Sequence, residues 1–94
     1  MKFIIAEARV LTQKNREWTN PQTGEVKTWV EYNLKVEEEN GSDVYLQVPK
    51  ALITDENIEY LQNLKGQEVT CEFWLNHNKQ YLTYYLSNLP VIKD

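Results

Sequence analysis

The chain has 94 residues, of which 41% are hydrophobic, 12% aromatic and 26% charged, and its formal net charge is −4. This length allows one domain, and this composition excludes a disordered or low-complexity chain. The acidic balance argues against indiscriminate binding of polyanions, because that affinity comes largely from Lys and Arg.

The cellular location follows from the absence of long apolar runs. No run approaches the roughly 18–20 residues that cross a bilayer. Only four apolar residues follow Lys2 before Glu7 interrupts them, which is too few for a signal peptide. We therefore expect a cytoplasmic protein with no membrane partner. The lone Cys71 cannot form an intramolecular disulfide, which fits a reducing compartment.

The alternation of apolar and polar residues predicts three strands in the first half of the chain. The first covers residues 3–11, the second 27–37 and the third 44–48. Residues 12–25 between the first two are polar and contain turn signals, so we expect them to form the tip of a long hairpin. Asn40-Gly41 predicts a second, tight hairpin. The residues expected to face the core are Ile4, Ala6, Ala8, Val10, Val30, Tyr32, Leu34, Val36, Val44, Leu46 and Val48.

A helix and two more strands are predicted in the second half. Thr54 is a good helix cap, Ile53 can pack on Ile58, and Gly66 is placed for a left-handed helix end. The fourth strand runs from about residue 67 to 77, a polar turn covers 76–79, and the fifth strand runs from about 80 to 89. Val69, Cys71, Phe73 and Leu75 should point inward on the fourth strand. On the fifth strand the sequence does not decide which side faces inward, the one with Leu82, Tyr84 and Leu86 or the one with Tyr81, Thr83 and Tyr85.

The order of these elements predicts an all-β fold with one short helix. Three strands, a helix and two further strands suit a five-stranded Greek-key barrel of the OB type, formed by residues 1–94 as a single domain. Closure of the barrel would remove exposed sheet edges. The alternative is an open α+β sandwich with the helix on one face.

The sequence offers little material for catalysis or metal binding, so we expect no enzyme activity, no cofactor and no metal. Cys71 is in phase with the core residues of its strand, and His77 falls in the predicted turn. A zinc site would need three or four Cys or His ligands. The acidic run Glu37–Glu39, with Asp43 nearby, is better explained as a solvated hairpin end than as a cation site.

Four large aromatic side chains fall outside the predicted core. Three are out of phase with the core pattern of their strands, and one lies in the first hairpin; they are Trp18, Trp29, Tyr45 and Trp74. Aromatic side chains exposed on an OB-type barrel can stack on the bases of single-stranded nucleic acid. Alternatively they cover a second small core, pack on the helix or form a dimer interface.

Basic residues are concentrated in the first third of the chain. Residues 1–35 carry six basic and four acidic side chains, whereas residues 36–72 carry two and nine. This asymmetry suits one face for an anionic ligand. The predicted phosphate contacts are Arg9, Lys14, Arg16, Lys27 and Lys35. Ordinary surface charge is the alternative, because Glu7, Glu17, Glu25 and Glu31 are interleaved with them.

Two segments resemble small OB-fold single-stranded DNA-binding proteins of phages and mobile elements. Residues 16–36 (REWTNPQTGEVKTWVEYNLKV) resemble the first hairpin of that family, and residues 64–73 (LKGQEVTCEF) look like its passage from helix to fourth strand. The resemblance implies weakly sequence-specific binding of single-stranded DNA in replication or recombination. Many cellular members carry a flexible acidic tail, and the end of this chain, residues 89–94, does not resemble one.

Two functions are therefore expected, in order of preference. The first is non-enzymatic binding of single-stranded nucleic acid by aromatic stacking and basic contacts, with a homodimer or a replication protein as a further partner. The second is an OB-type protein-interaction module that acts as an accessory subunit of a replication or mobile-element complex. Salt dependence separates them, since phosphate binding weakens steeply as salt rises.

Overall fold

Stretches of alternating apolar and polar residues form most of the regular structure, because each can bury one side against a shared core. The computed structural model describes residues 2–78 and 81–93. Its elements, in chain order, are β1 (Lys2–Thr19), β2 (Val26–Glu38), β3 (Asp43–Gln47), a 3₁₀ turn (Lys50–Leu52), α1 (Asp55–Gln62), β4 (Glu68–Asn78), β5 (Tyr81–Leu86) and β6 (Val91–Ile92).

Five of these strands close into a barrel. They follow one another in the order β1, β2, β3, β5 and β4, and β4 pairs back onto β1. Every neighbouring pair is antiparallel except β3 and β5, which run parallel. This arrangement confirms the predicted OB-type barrel with one helix and excludes the open sandwich. The short β6, which pairs with β4, was not predicted.

The barrel core consists of the inward residues of all five strands together with the helix. The predictions for β2 and β3 are confirmed except at Val30, which lies beyond the barrel and does not join the core. On β4 they hold for Val69 and Cys71, which are fully buried. Leu75 was expected to point into the core, but it is 37% exposed because it lies where β4 extends past the barrel. On β5 the structure decides the open question, since Leu86 is buried and Tyr84 packs against the core.

β1 contains an irregularity that reverses its alternation. The pairing of β1 with β2 shifts between Ala8 and Val10, so an extra residue is inserted at this point. Ala6 and Ala8 are buried as predicted. The expectation that Val10 shares their side is wrong: Val10 is exposed, and Leu11 packs against the core in its place.

The first hairpin is paired almost to its tip. The prediction that residues 12–25 form the tip of a long hairpin is confirmed, but most of this tip is strand, because β1 continues to Thr19 and β2 already begins at Val26. Only residues 20–25 make the turn, in which the Asn20 and Glu25 backbones are joined by a hydrogen bond of 2.7 Å and Gly24 has a φ of 73°. We call residues 12–31, where neither strand has a second neighbour, the wing. The molecule measures 51 × 31 × 22 Å.

The helix begins as the sequence predicts, but it ends at Gln62, and a turn over residues 63–66 follows, with Gly66 as its last residue. The Thr54 hydroxyl accepts a hydrogen bond of 3.1 Å from the Asn57 backbone, and Leu61 is buried against the barrel. Gly66 has a φ of 85°, which favours glycine there. The hydroxyl of Tyr60 donates to the Pro90 carbonyl at 2.6 Å and so fastens the segment before β6. Within residues 2–78 and 81–93 no helix combines the length and apolarity that a membrane crossing requires.

The predicted turn at residues 76–79 lies partly outside the described residues. Asn76 and His77 continue β4 and do not form a turn. Lys79 and Gln80 lie outside the described residues, so the predicted start of the fifth strand at residue 80 is untested.

Candidate nucleic-acid interface

The wing carries aromatic and basic side chains on one face. Residues directly opposite each other in an antiparallel pair lie on the same side of the ribbon, and so do residues two apart along a strand. Arg16 lies opposite Trp29, and Trp18 lies opposite Lys27. The next pair toward the barrel is Lys14 and Glu31. These six residues define what we call the outer face of the wing.

Both tryptophans of the outer face are about half exposed. Trp18 is 46% and Trp29 is 49% accessible. The two residues occupy diagonal positions of adjacent cross-strand pairs, a separation of roughly 7–8 Å. Two exposed indole rings at this spacing offer adjacent π-surfaces, which the prediction for Trp18 and Trp29 requires.

The basic side chains of the outer face differ in how they are paired. Within the part of the chain that the structure describes, neither Lys14 nor Lys27 makes a salt bridge. Arg16, in contrast, donates through Nε to Glu31 Oε2 at 2.8 Å. This hydrogen bond raises the pKa of the Arg16 guanidinium and lowers that of the Glu31 carboxyl, to which Asn33 also donates. Lys14 and Lys27 are therefore the most available cations for an anionic ligand.

The opposite face of the wing is nearly without charge. Its residues from β1 are Gln13, Asn15, Glu17 and Thr19, and its residues from β2 are Val26, Thr28 and Val30. Glu17 is the one charged side chain among these seven, whereas the outer face carries three basic side chains and one acidic. The wing is thus positive on one side within a protein that is negative as a whole.

The outer face continues from the wing onto the barrel at Lys35 and Tyr45. Lys35 is in phase with Trp29 along β2, and it lies opposite Tyr45 of β3. Tyr45 is 53% exposed, as predicted for an outward residue. The Lys35 ammonium lies 3.7 Å from Asp43 Oδ2, so this cation has an intramolecular partner.

Arg9 does not join the other predicted phosphate contacts. Its guanidinium forms ion pairs with Glu7, at 3.2 Å, and with Glu37. It lines an open groove of about 540 Å³ whose other charged residues include Glu38, Glu39 and Glu68. The surroundings of Arg9 are therefore acidic and lie beyond the wing.

Trp74 belongs to a separate aromatic cluster. It is 45% exposed, as predicted, but its ring stacks on Tyr85 with centroids 4.6 Å apart and an interplanar angle of 14°. β4 pairs with β1, β5 and β6 and not with the wing. The structure thus brings Trp18 and Trp29 together and places Trp74 with Tyr85. Tyr85 was not singled out from the sequence, although it lies directly opposite Trp74 in the hairpin of β4 and β5.

The groups considered for chemistry from the sequence are dispersed. Cys71 is fully buried, and this burial raises the pKa of its thiol to about 12. His77 is exposed on β4. Among the residues that the structure describes, no three His, Cys, Asp or Glu side chains are grouped as metal ligands would be. The outer face of the wing offers π-surfaces and cationic hydrogen-bond donors.

Comparison of the chain with protein-family models, with curated proteins and with solved structures found no match.

Proposed function

We propose that the outer face of the wing binds single-stranded nucleic acid, with single-stranded DNA as the ligand. The observation that carries this proposal is the pairing register, because it places Trp18, Trp29, Lys14 and Lys27 on one exposed face. Each base stacked on an aromatic side chain contributes on the order of 1–3 kcal/mol. Two stacked bases with two phosphate contacts support binding in the micromolar range, about −8 kcal/mol.

The resemblance to small phage and mobile-element proteins agrees with this proposal and extends it. A protein that binds a single strand through π-surfaces and Lys ammonium groups reads little sequence, because every base has a π-face. Such binding serves DNA replication or recombination in the cytoplasm, and it requires no enzyme activity of this chain. The continuation of the outer face through Lys35 and Tyr45 lengthens the track available to the strand.

A second function, as an accessory protein-interaction module, is favoured by one specific observation. Three of the five basic residues predicted to contact phosphate already pair with carboxylates of the same chain, namely Arg9, Arg16 and Lys35. Exposed aromatic side chains on an acidic barrel also suit a protein partner.

Intrinsic tryptophan fluorescence tests the proposal. We expect an oligothymidine of roughly 20 nucleotides, longer than the ~4–16 nucleotides that one OB fold contacts, to quench the fluorescence at low salt. Added salt should restore it, since phosphate contacts release counterions. A folded protein that shows no quenching at low salt contradicts the proposal and favours the protein-interaction module.

Variants then locate the stacking residues. Trp18→Ala and Trp29→Ala should each weaken binding about tenfold, the loss that corresponds to about 1.4 kcal/mol. Trp74→Phe is the comparison, because Trp74 lies off the wing and stacks on Tyr85. Quenching that persists in Trp74→Phe assigns the contact to the wing, whereas quenching that disappears assigns it to the cluster on β4 and β5.

A further inference from the structure

The outer edge of β2 within the wing is unpaired. The Tyr32 carbonyl accepts from the Val48 backbone at 2.9 Å, so the polar backbone groups of Tyr32 point away from β1. Backbone groups alternate in direction along a strand, and those of Thr28 and Val30 therefore point to the same side. β3 pairs with β2 only over residues 33–37, and the described residues provide no backbone partner for Thr28 or Val30.

The residues at this edge favour pairing with another strand. Residues 26–32 (VKTWVEY) contain no Pro, are rich in β-branched and aromatic side chains, and carry one positive and one negative charge. An exposed edge of this kind is a template for strand addition. The free edge of β1 in the wing differs, since residues 12–19 (TQKNREWT) are mostly polar and contain one large apolar side chain, Trp18.

The β2 edge is complementary to itself. When two copies run antiparallel about a twofold axis at Trp29, Lys27 of each copy lies opposite Glu31 of the other, and Thr28 lies opposite Val30. In that register the outward-pointing backbone groups of Thr28 and Val30 face their counterparts and can form four hydrogen bonds. Moving the axis to Thr28 would place Glu25 of each copy opposite Glu31 of the other, which are pairs of like charge. Moving the axis to Val30 would remove the Lys27–Glu31 pairs.

We propose that the protein forms a homodimer through this edge, with β2 of one copy pairing antiparallel to β2 of the other around Trp29. A groove of about 810 Å³ runs beside the edge, between Trp29 and Val30 on one side and Lys50 and Ile53 on the other, and it leaves space for the second strand. The dimer joins two wings into a four-stranded ribbon, in which the β2 edge of each copy is paired.

The dimer also arranges the two outer faces. A twofold axis perpendicular to the ribbon does not exchange the two faces of the ribbon. The outer faces of both copies, with Trp18 and Lys14, therefore lie on the same side of the four-stranded ribbon. This inference rests on the backbone and the charges of β2, and it does not depend on the ligand of the outer face.

Proline substitution tests the backbone pairing. Val30→Pro removes an outward N–H that has no partner among the described residues, so the variant should fold and yet lose the dimer. Asn15→Pro is the matched control, because Asn15 lies directly opposite Val30 and belongs to the other edge. Sedimentation equilibrium should give a dimer mass for the natural protein and for Asn15→Pro, and a monomer mass for Val30→Pro. A natural protein that is monomeric up to about 1 mM overturns the proposal, and so does a dimer that survives Val30→Pro.

Charge reversal tests the register. Lys27→Glu and Glu31→Lys should each raise the dimer dissociation constant about tenfold, since each variant creates two pairs of like charge across the twofold axis. The double variant restores opposite charges and should recover most of the loss. Lys27 and Glu31 are about 13 Å apart along one strand, so recovery cannot arise within one copy. A double variant as weak as Glu31→Lys alone overturns this register, with circular dichroism confirming that each variant is folded.

Discussion

Arg16 and Glu31 are joined across the wing by a hydrogen bond of 2.8 Å from Nε to Oε2, directly beside the exposed ring of Trp29. In this pair, one of the three basic side chains of the outer face is bound to a carboxylate of the same chain. It therefore limits the positive charge that the face can offer to an anionic ligand, and it holds the two strands of the wing together.

Removing the Glu31 charge should strengthen binding of single-stranded DNA. Glu31→Gln releases the Arg16 guanidinium and takes a negative charge off the outer face, so we expect affinity for oligothymidine to rise several-fold at low salt. Fluorescence titration measures the change. Glu17→Gln removes a charge from the opposite face of the wing and serves as control; an equal gain in both variants would indicate a general effect of net charge.

The Arg16–Glu31 pair should also make stability depend on pH. The pKa of Glu31 lies below its ordinary value of 4.5, chiefly because Arg16 donates to the carboxylate. The stabilisation is therefore complete above about pH 4.5 and is lost as the pH falls through the lowered pKa. Urea unfolding should show the natural protein more stable than Glu31→Gln at neutral pH, by at most about 1 kcal/mol. This difference should vanish as the pH falls through the lowered pKa of Glu31; a difference that stays constant with pH would refute the assignment.

Lys14 should contribute one phosphate contact. For single strands, the logarithm of the binding constant falls with the logarithm of salt concentration by about 0.7 per phosphate contacted. We expect Lys14→Gln to reduce the slope by about that amount, measured by titrations at several salt concentrations. Lys65→Gln removes the same charge at an exposed position outside the wing and should leave the slope unchanged.

The stacked pair of Trp74 and Tyr85 should stabilise the hairpin of β4 and β5. Stacked aromatic pairs contribute about 0.5–1.5 kcal/mol beyond the area that they bury. A double-mutant cycle with Trp74→Leu and Tyr85→Leu, followed by urea unfolding, should give a coupling free energy in this range. A coupling near zero would show that the two rings are neighbours without a stabilising contact.

Cys71 should be unreactive in the folded protein. Complete burial, which raises the pKa of its thiol to about 12, leaves almost no thiolate at neutral pH and no access for a reagent. A disulfide reagent such as Ellman's should label it only at the rate at which the protein opens, and rapidly in denaturant. Fast labelling under native conditions would contradict the buried position.

The barrel could be predicted because its signals are local. The alternation in residues 30–36 and 69–73, the cap at Thr54 and the glycine at position 66 each depend on a few neighbouring residues. The insertion after Ala8 could not be predicted, because nothing in residues 8–11 distinguishes a regular strand from one with an extra residue. Its effect is nevertheless large, since it exposes Val10 and turns Leu11 to the core.

The wing shows where local signals fail. Residues 12–19 are polar and resemble a loop, yet they form a strand because each has a partner across the hairpin on β2. This partner is distant in sequence, so local propensity and periodicity cannot identify it.

The alternation of apolar and polar residues was sufficient to predict the strands, the helix and the outward placement of Trp29, Tyr45 and Trp74, because periodic burial of apolar side chains specifies them. Closure of the barrel, which separates it from the open sandwich, depends on the pairing of β4 with β1. Which of these aromatic residues lie together follows from contacts between strands and could not be predicted. Pairing of Arg16 with Trp29 places Trp18 on the same face, whereas pairing of β4 with β5 gives Trp74 a different neighbour. Register and strand order are properties of contacts between distant segments, and only the folded chain establishes them.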